Sequence, residues 1–263
     1  MRNDVIMTTV DTSVSENRAL PLCVGDIPGA APVHHTIIQG SSLKINENTG
    51  HYHIIILISG ECVFITDGVE YPYAERVSFV PAPDKSLEIK AKTNVQLLEI
   101  LWDISPEDEA LLAEYKTEFP VAQAYATSIQ YIDRNKSQKT ISRMMIPHKI
   151  IPRFAIGSVE SYGYDYVKPH THPMLDQFFF SFPENDMDVI IDGEKYPMLG
   201  NMIFHIPLGS EHGVEVTGTK HMHYMWIDFL PDNEAGLKRL ESSHKPTGEM
   251  RDLEKEDKFR SHI

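Results

Sequence analysis

Short apolar runs separated by turn-forming residues dominate the middle of the chain. HIIILISGE, CVFITDG, RVSFVPAP and VQLLEILWDI come first, and QFFFSFP, DVIIDGE, MIFHIPLG and HMHYMWIDF follow. Runs of this length, rich in β-branched and aromatic residues and punctuated by Asp, Pro and Gly, read as strands, so the chain is expected to be all-β. Helix is predicted clearly only twice. Ser105, Pro106, Glu107 and Asp108 supply an N-cap, a first-turn proline and acidic residues ahead of EALLAEYKTEF. PDNEAGLKRLESSHKP is the second candidate; beyond it MRDLEKEDKFRSHI is too charged to hold core surface and is expected to be a peripheral or partly disordered tail.

The strand pattern repeats. DGVEYP at 67 to 72 recurs as DGEKYP at 192 to 197, VSFVPAPDKSLEI at 77 resembles MIFHIPLGSEHGVEV at 202, and ILWDISP at 100 echoes MWIDFLP at 225. Three matches in the same order, each displaced by about 125 residues, indicate a duplicated β domain with the Ser105 helix near the junction.

Composition narrows the partners more than the fold. The 263 residues carry 38 Asp and Glu against 24 Lys and Arg, a net charge of -14 that disfavours a polyphosphate backbone, so no nucleic acid partner is expected. No apolar run is long enough to cross a bilayer, and the polar N-terminus lacks a signal peptide's apolar stretch. A cytoplasmic location without membrane association is the expectation. The two cysteines, Cys23 and Cys62, form neither a disulfide framework nor a zinc motif, and Cys62 reads as a small buried hydrophobe.

Candidate chemistry concentrates in HTHPMLDQ, residues 170 to 177, and PLGSEH, residues 207 to 212. Together they resemble the two signature motifs of the cupin superfamily, in which HxH and a glutamate are followed by PxGxxH. Position by position, His170, His172 and His212 match that family's metal histidines, and Gln177 falls where the family usually has glutamate. Gly200 lies one position too early for the glycine of the second motif, which leaves the turn before that strand open. With the duplication, the chain resembles a bicupin. The resemblance implies two tandem jelly-roll barrels of the double-stranded β-helix type. Residues 20–119 would form an N-terminal barrel ending in the connecting helix, 120–235 a metal-binding barrel, and 236–263 a charged, partly helical tail. It also implies pairing into a homodimer.

The spacing makes chemical sense without the family name. Residues i and i+2 of a strand face the same way, so His170 and His172 can offer nitrogens to one ion before Pro173 ends the strand. One divalent transition metal (Mn, Fe, Ni or Zn) is expected, since imidazoles do not choose among these ions. Gln177 can ligate through its carbonyl oxygen, leaving the ion's full positive charge for an anionic substrate or a bound water. Asp176 is the competing fourth ligand and needs a bulge to turn inward. In the first repeat His53 aligns with Gln177, while Asn46, Asn48 and Ser86 fall on the histidine positions, so that half is expected to lack metal. His51 and His53 read as a strand pair, and His34 and His35 as loop residues.

Candidate catalytic groups are His205, His223 and Tyr166; His221, Tyr164, Arg143 and Arg153 are further polar groups of the same half. The expected function is a metal-dependent enzyme acting on a small oxygenated metabolite, of isomerase, lyase or dioxygenase type. The alternative is a non-catalytic module that binds or senses a sugar or organic acid.

Overall fold

The computed structural model describes residues 6–13, 15–172 and 174–253, and the chain divides into two compact units. One runs from Val10 to Ala126; the other starts at Thr127 and also takes in the N-terminal strand Met7–Thr9. Pro173, expected to end a strand, and the end of the charged tail lie outside the described residues. No helix among the described residues is long and apolar enough to cross a membrane, which says nothing of strands.

The unit from Val10 to Ala126 is built of two antiparallel sheets. Its larger sheet runs in the order Val121–Ala124, Val77–Val80, His51–Ser59, Val95–Asp103, Ala30–Ile37 and Arg18–Pro21. The smaller runs Ser42–Ile45, Leu87–Ala91, Cys62–Thr66 and Val69–Tyr73. Alternate residues of the facing strands fill the space between, including Ile55, Leu57, Phe64, Phe79, Ile89 and Leu97. Phe64 and Phe79 stack with centroids 4.7 Å apart. Cys62 is fully buried in that core, as a small hydrophobe would be.

The other unit repeats the plan. Its larger sheet runs Met7–Thr9, Met202–Ile206, Asp176–Ser181, His221–Phe229, Phe154–Tyr162, Ile141–Ile146, Ile129–Ile132 and Lys245–Pro246. The smaller runs Asp165–His170, His212–Val216, Asp186–Ile191 and Glu194–Leu199. Matched through the sequence repeat, both small sheets and the first six strands of both large sheets have the same order. The outermost of those six is supplied differently, by a segment after the repeat in one unit and by the chain's N-terminus in the other. Gly200 sits in the turn before Met202–Ile206, where a Cβ would overlap the Pro183 backbone.

Both predicted helices form, with shifted starts. The first spans Asp108–Tyr115, two residues later than a Ser105 cap would give, and Ser105 Oγ donates to Asp108 Oδ1 at 2.9 Å. The second spans Asn233–Ser243, capped by Asp232, whose side chain accepts from the Ala235 amide. That helix packs on the core of its unit, with Leu240 2% exposed and Leu237 against the same cluster. Leu253, inside the charged segment, is also buried. His34 and His35 are not loop residues. They lie in the strand Ala30–Ile37, paired on both sides, because ladder hydrogen bonds outweigh the local turn signal of the nearby Pro and Gly.

Candidate metal centre

The strand Asp165–His170 is fixed at its start by Asp165, whose buried carboxylate accepts from Thr140 Oγ1 at 2.8 Å, Ser161 Oγ at 2.5 Å and the Tyr166 amide at 2.8 Å. It pairs with His212–Val216 in register from Asp165 to Val167 and then slips, which sets His170 opposite His212. Pro169 has no N–H for the ladder, and Lys168 N donates instead to the Asn135 carbonyl at 2.8 Å. Gly213 permits the close approach, since a Cβ there would lie 2.6 Å from the Val167 carbonyl oxygen. His172 stands past the end of the strand. The two-residue alternation of a regular strand is therefore not what joins the pair; the slip and the following loop do so. Ring centroids lie 4.7 Å apart for His170 and His172, 4.7 Å for His170 and His212, and 5.2 Å for His172 and His212.

One ligating nitrogen from each of these histidines lies within 4.8 Å of the others. The remaining ring nitrogens are partly spoken for. His170 Nδ1 donates to the Lys168 carbonyl at 2.7 Å and His212 Nδ1 to the Ser210 carbonyl at 3.3 Å. His212 Nε2 and His172 Nδ1 are buried without a hydrogen-bond partner. Burial, reinforced by the neighbouring imidazoles, lowers His172 to about 2 and His212 to about 3, and burial also lowers His170. All three rings are thus neutral near pH 7, with lone pairs available.

Gln177 lines the same pocket, and a neighbour across the ladder holds its amide. It sits on the strand Asp176–Ser181 directly across from Asp228, and its Nε2 donates to Asp228 Oδ1 at 2.6 Å. Its Oε1 is left buried and unpartnered in the pocket that the histidines line. Asp176, one residue earlier, points to the opposite face beside His205, where burial raises its carboxyl. Burial also pushes Asp228 up to about 7, against the Gln177 hydrogen bond and the Lys136 charge.

His205, His223 and Tyr166 do not line this pocket, for a shared reason: each alternates with a residue that does face inward. His205 lies between the buried core residues Phe204 and Ile206, and Tyr166 is 38% exposed next to Val167. His221 and His223 share the face opposite Tyr224, Trp226 and Asp228. There Glu160, His221 and His223 form a second cluster of donor atoms within 4.8 Å of one another. It is knit by ion pairs, Arg143 to Glu160 at 2.8 Å and His223 to Glu184 at 2.6 Å, which also removes Arg143 from the pocket. Tyr164 is exposed, and Arg153 is outside the pocket wall.

The residues that sequence reasoning missed are Lys136, Asp133, Asp228, Ser243 and His244, all in the pocket wall. Asp228 stands in the repeated MWIDFLP segment and was findable as an inward position across from Gln177. Lys136 sits in a polar connection with no periodic signal, and Ser243 and His244 come from the end of the C-terminal helix. In the unit from Val10 to Ala126, the described residues show no comparable cluster. Its interior carries a carboxylate bridging two imidazoles, with Glu99 2.6 Å from both His35 Nε2 and His53 Nδ1.

Comparison with known proteins bears on the fold. No family profile matches the sequence, and no curated protein matches it. Solved structures do. A cupin 2 conserved barrel domain protein from Leptotrichia buccalis aligns at 14% identity and TM-score 0.58 over 84% of this chain and 92% of its own. AerE from Microcystis aeruginosa aligns at 11% identity and TM-score 0.64, over 86% and 97%. A variant of oxalate decarboxylase from Bacillus subtilis, an enzyme described with Mn(II) centres, aligns at 12% identity and TM-score 0.64, over 89% and 78%. The fold is the all-β cupin jelly roll.

Proposed function

We propose that this chain is a bicupin with one divalent transition metal, held by His170, His172, Gln177 and His212, and that it acts as an enzyme on a small oxygenated metabolite. The observation that carries the reading is that His170, His172 and His212 each offer a nitrogen within 4.8 Å of the others, with His172 Nδ1, His212 Nε2 and Gln177 Oε1 buried and unpartnered among the residues of the same pocket. Leaving such atoms unsatisfied costs roughly 1–3 kcal/mol each, so their convergence favours a ligand that accepts all of them. The matching strand orders of the two units support the duplication.

When bound, the ion would supply Lewis acidity towards an oxygen of the substrate. Three imidazoles and an amide bring no negative charge, which favours an anionic substrate. Asp228 orients the Gln177 amide so that its oxygen faces the centre, and Lys136 and Asp133 offer a proton donor and acceptor in the same wall. The reading covers an isomerase, a lyase or a dioxygenase, with Mn, Fe, Ni or Zn as the ion. A homodimer and a cytoplasmic location belong to the same proposal.

The test is elemental analysis of protein purified without chelator. About one transition metal per chain is expected, and His212→Ala should lose it while circular dichroism shows the β fold retained. Absence of metal, together with an unchanged melting temperature on adding Mn(II), Fe(II), Ni(II) or Zn(II), would overturn the proposal.

A further inference from the structure

The pocket between the histidines is small, with space of about 40 Å³, on the scale of a very few water molecules. Only the reacting end of a substrate fits there. Next to it lies a cavity of about 750 Å³, within the ~300–1,000 Å³ range usual for metabolite sites. Asp133, Lys136 and Ser243 line both, so Lys136 stands in the wall that the two spaces share.

The cavity is a built compartment. Its walls are the strand Ile129–Ile132, the connection from 133 to 140, the end of helix Asn233–Ser243 and the segment that follows to Arg251. That last segment is strapped down by reciprocal bonds. Gln130 Nε2 donates to the Arg251 carbonyl at 2.7 Å, and the Arg251 amide donates to Gln130 Oε1 at 2.9 Å. The Arg251 guanidinium is spent on the carbonyls of Gln138 at 2.9 Å, Lys139 at 3.3 Å and Thr140 at 3.4 Å. It holds the wall and has little left for a ligand.

Lys136 is differently placed. Its Nζ donates to Tyr131 Oη at 2.8 Å and Ser142 Oγ at 3.1 Å, and an ammonium has three N–H donors, so these two bonds leave one for a ligand. Tyr131 is itself fixed, accepting from Trp226 Nε1 at 2.9 Å. Burial lowers the Lys136 ammonium to about 8, with Asp133 and Asp228 pulling the other way. Ser242 Oγ donates to the Arg239 carbonyl at 2.7 Å and Thr247 Oγ1 to the Gln130 carbonyl at 3.3 Å, which leaves these two hydroxyls as acceptors, while Ser142 Oγ, which accepts from Lys136, keeps its O–H to donate.

Resting on the metal-centre reading above, we propose that this cavity binds the body of a hydroxylated carboxylic acid longer than two carbons, with Lys136 holding its carboxylate at the wall shared with the metal pocket. A cationic anchor selects the acid over a neutral sugar. The volume of about 750 Å³ selects the longer acid over a two-carbon one.

The experiment is isothermal titration calorimetry on metal-loaded protein with D-gluconate, glycolate and D-glucose. Gluconate is expected to bind at least tenfold more tightly than either of the others. Lys136→Met should cost gluconate at least tenfold in Kd, with Lys136→Arg recovering part of the loss. Ser242→Trp, at an exposed position of the cavity rim, should weaken gluconate and leave glycolate unchanged. Equal affinities for gluconate and glycolate, or wild-type gluconate binding by Lys136→Met or Ser242→Trp, would overturn the proposal. Metal content measured on the same samples reports separately on the metal-centre reading.

Discussion

Gln177 and Asp228 are cross-strand partners, and that pairing decides which end of the amide faces the histidines. Nε2 donates to Asp228 Oδ1, which leaves the carbonyl oxygen buried without a partner. Groups that orient ligands in this way typically matter about 10–100-fold for metal affinity. Asp228→Ala is therefore expected to weaken metal binding by that factor, measured by competition with a chelator of known affinity, while Asp176→Ala leaves it unchanged. Equal loss in both variants would mean that Asp228 does not act through Gln177.

Among the elements, the strands Phe154–Tyr162 and His221–Phe229 pair along their whole length, and Gly157 lies within that ladder. It pairs across the ladder with Trp226, and a Cβ at 157 would overlap the indole and the Arg143 carbonyl. Backbone carbonyl and packed indole give little, so Gly157→Ala is expected to destabilise by ~1–3 kcal/mol in urea unfolding, the range for overpacking. Because Trp226 lines the pocket and donates to Tyr131, the same change should shift the emission of its indole. The C-terminal helix acts on the site as an element too. Asp232 caps its start, and its far end delivers Ser243 to the pocket wall, followed by His244.

At the scale of the whole molecule, one plan is used twice with different interiors. One unit gathers nitrogens of three imidazoles within 4.8 Å of one another; the other closes its interior around Glu99, His35 and His53. Burial by itself raises the Glu99 carboxyl, but the hydrogen bonds from His35 and His53 outweigh it and hold the group at about 2, against 4.5 normally. A folded-state value below the unfolded one means that the ionised carboxylate stabilises the fold above about pH 4.5, and that this contribution is lost as pH falls towards about 2. Glu99→Gln should thus be less stable than the parent at pH 6, with the difference shrinking below pH 4.5. Urea unfolding read by Trp102 in a Trp226→Phe background would follow the unit concerned. A stability gap independent of pH would contradict the account.

The order of strands and turns was legible along the chain, because alternation and Asp-Gly punctuation follow from local covalent geometry and the duplication repeats them. His170, His172, His212 and Gln177 could be named as candidates because HTHPMLDQ and PLGSEH resemble the two cupin motifs, since the chain alone does not bring His212 near the other three. Which side chains share a pocket was decided by register between strands and by helix docking, which no local pattern encodes. The slip at Lys168 and Pro169 set His170 against His212, strand alternation turned His205, His223 and Tyr166 away, and folding carried Lys136 and the end of the C-terminal helix to the metal pocket. Local sequence thus determined the elements and the ligand candidates. Only tertiary packing, which acts between residues far apart in the chain, decided what surrounds them.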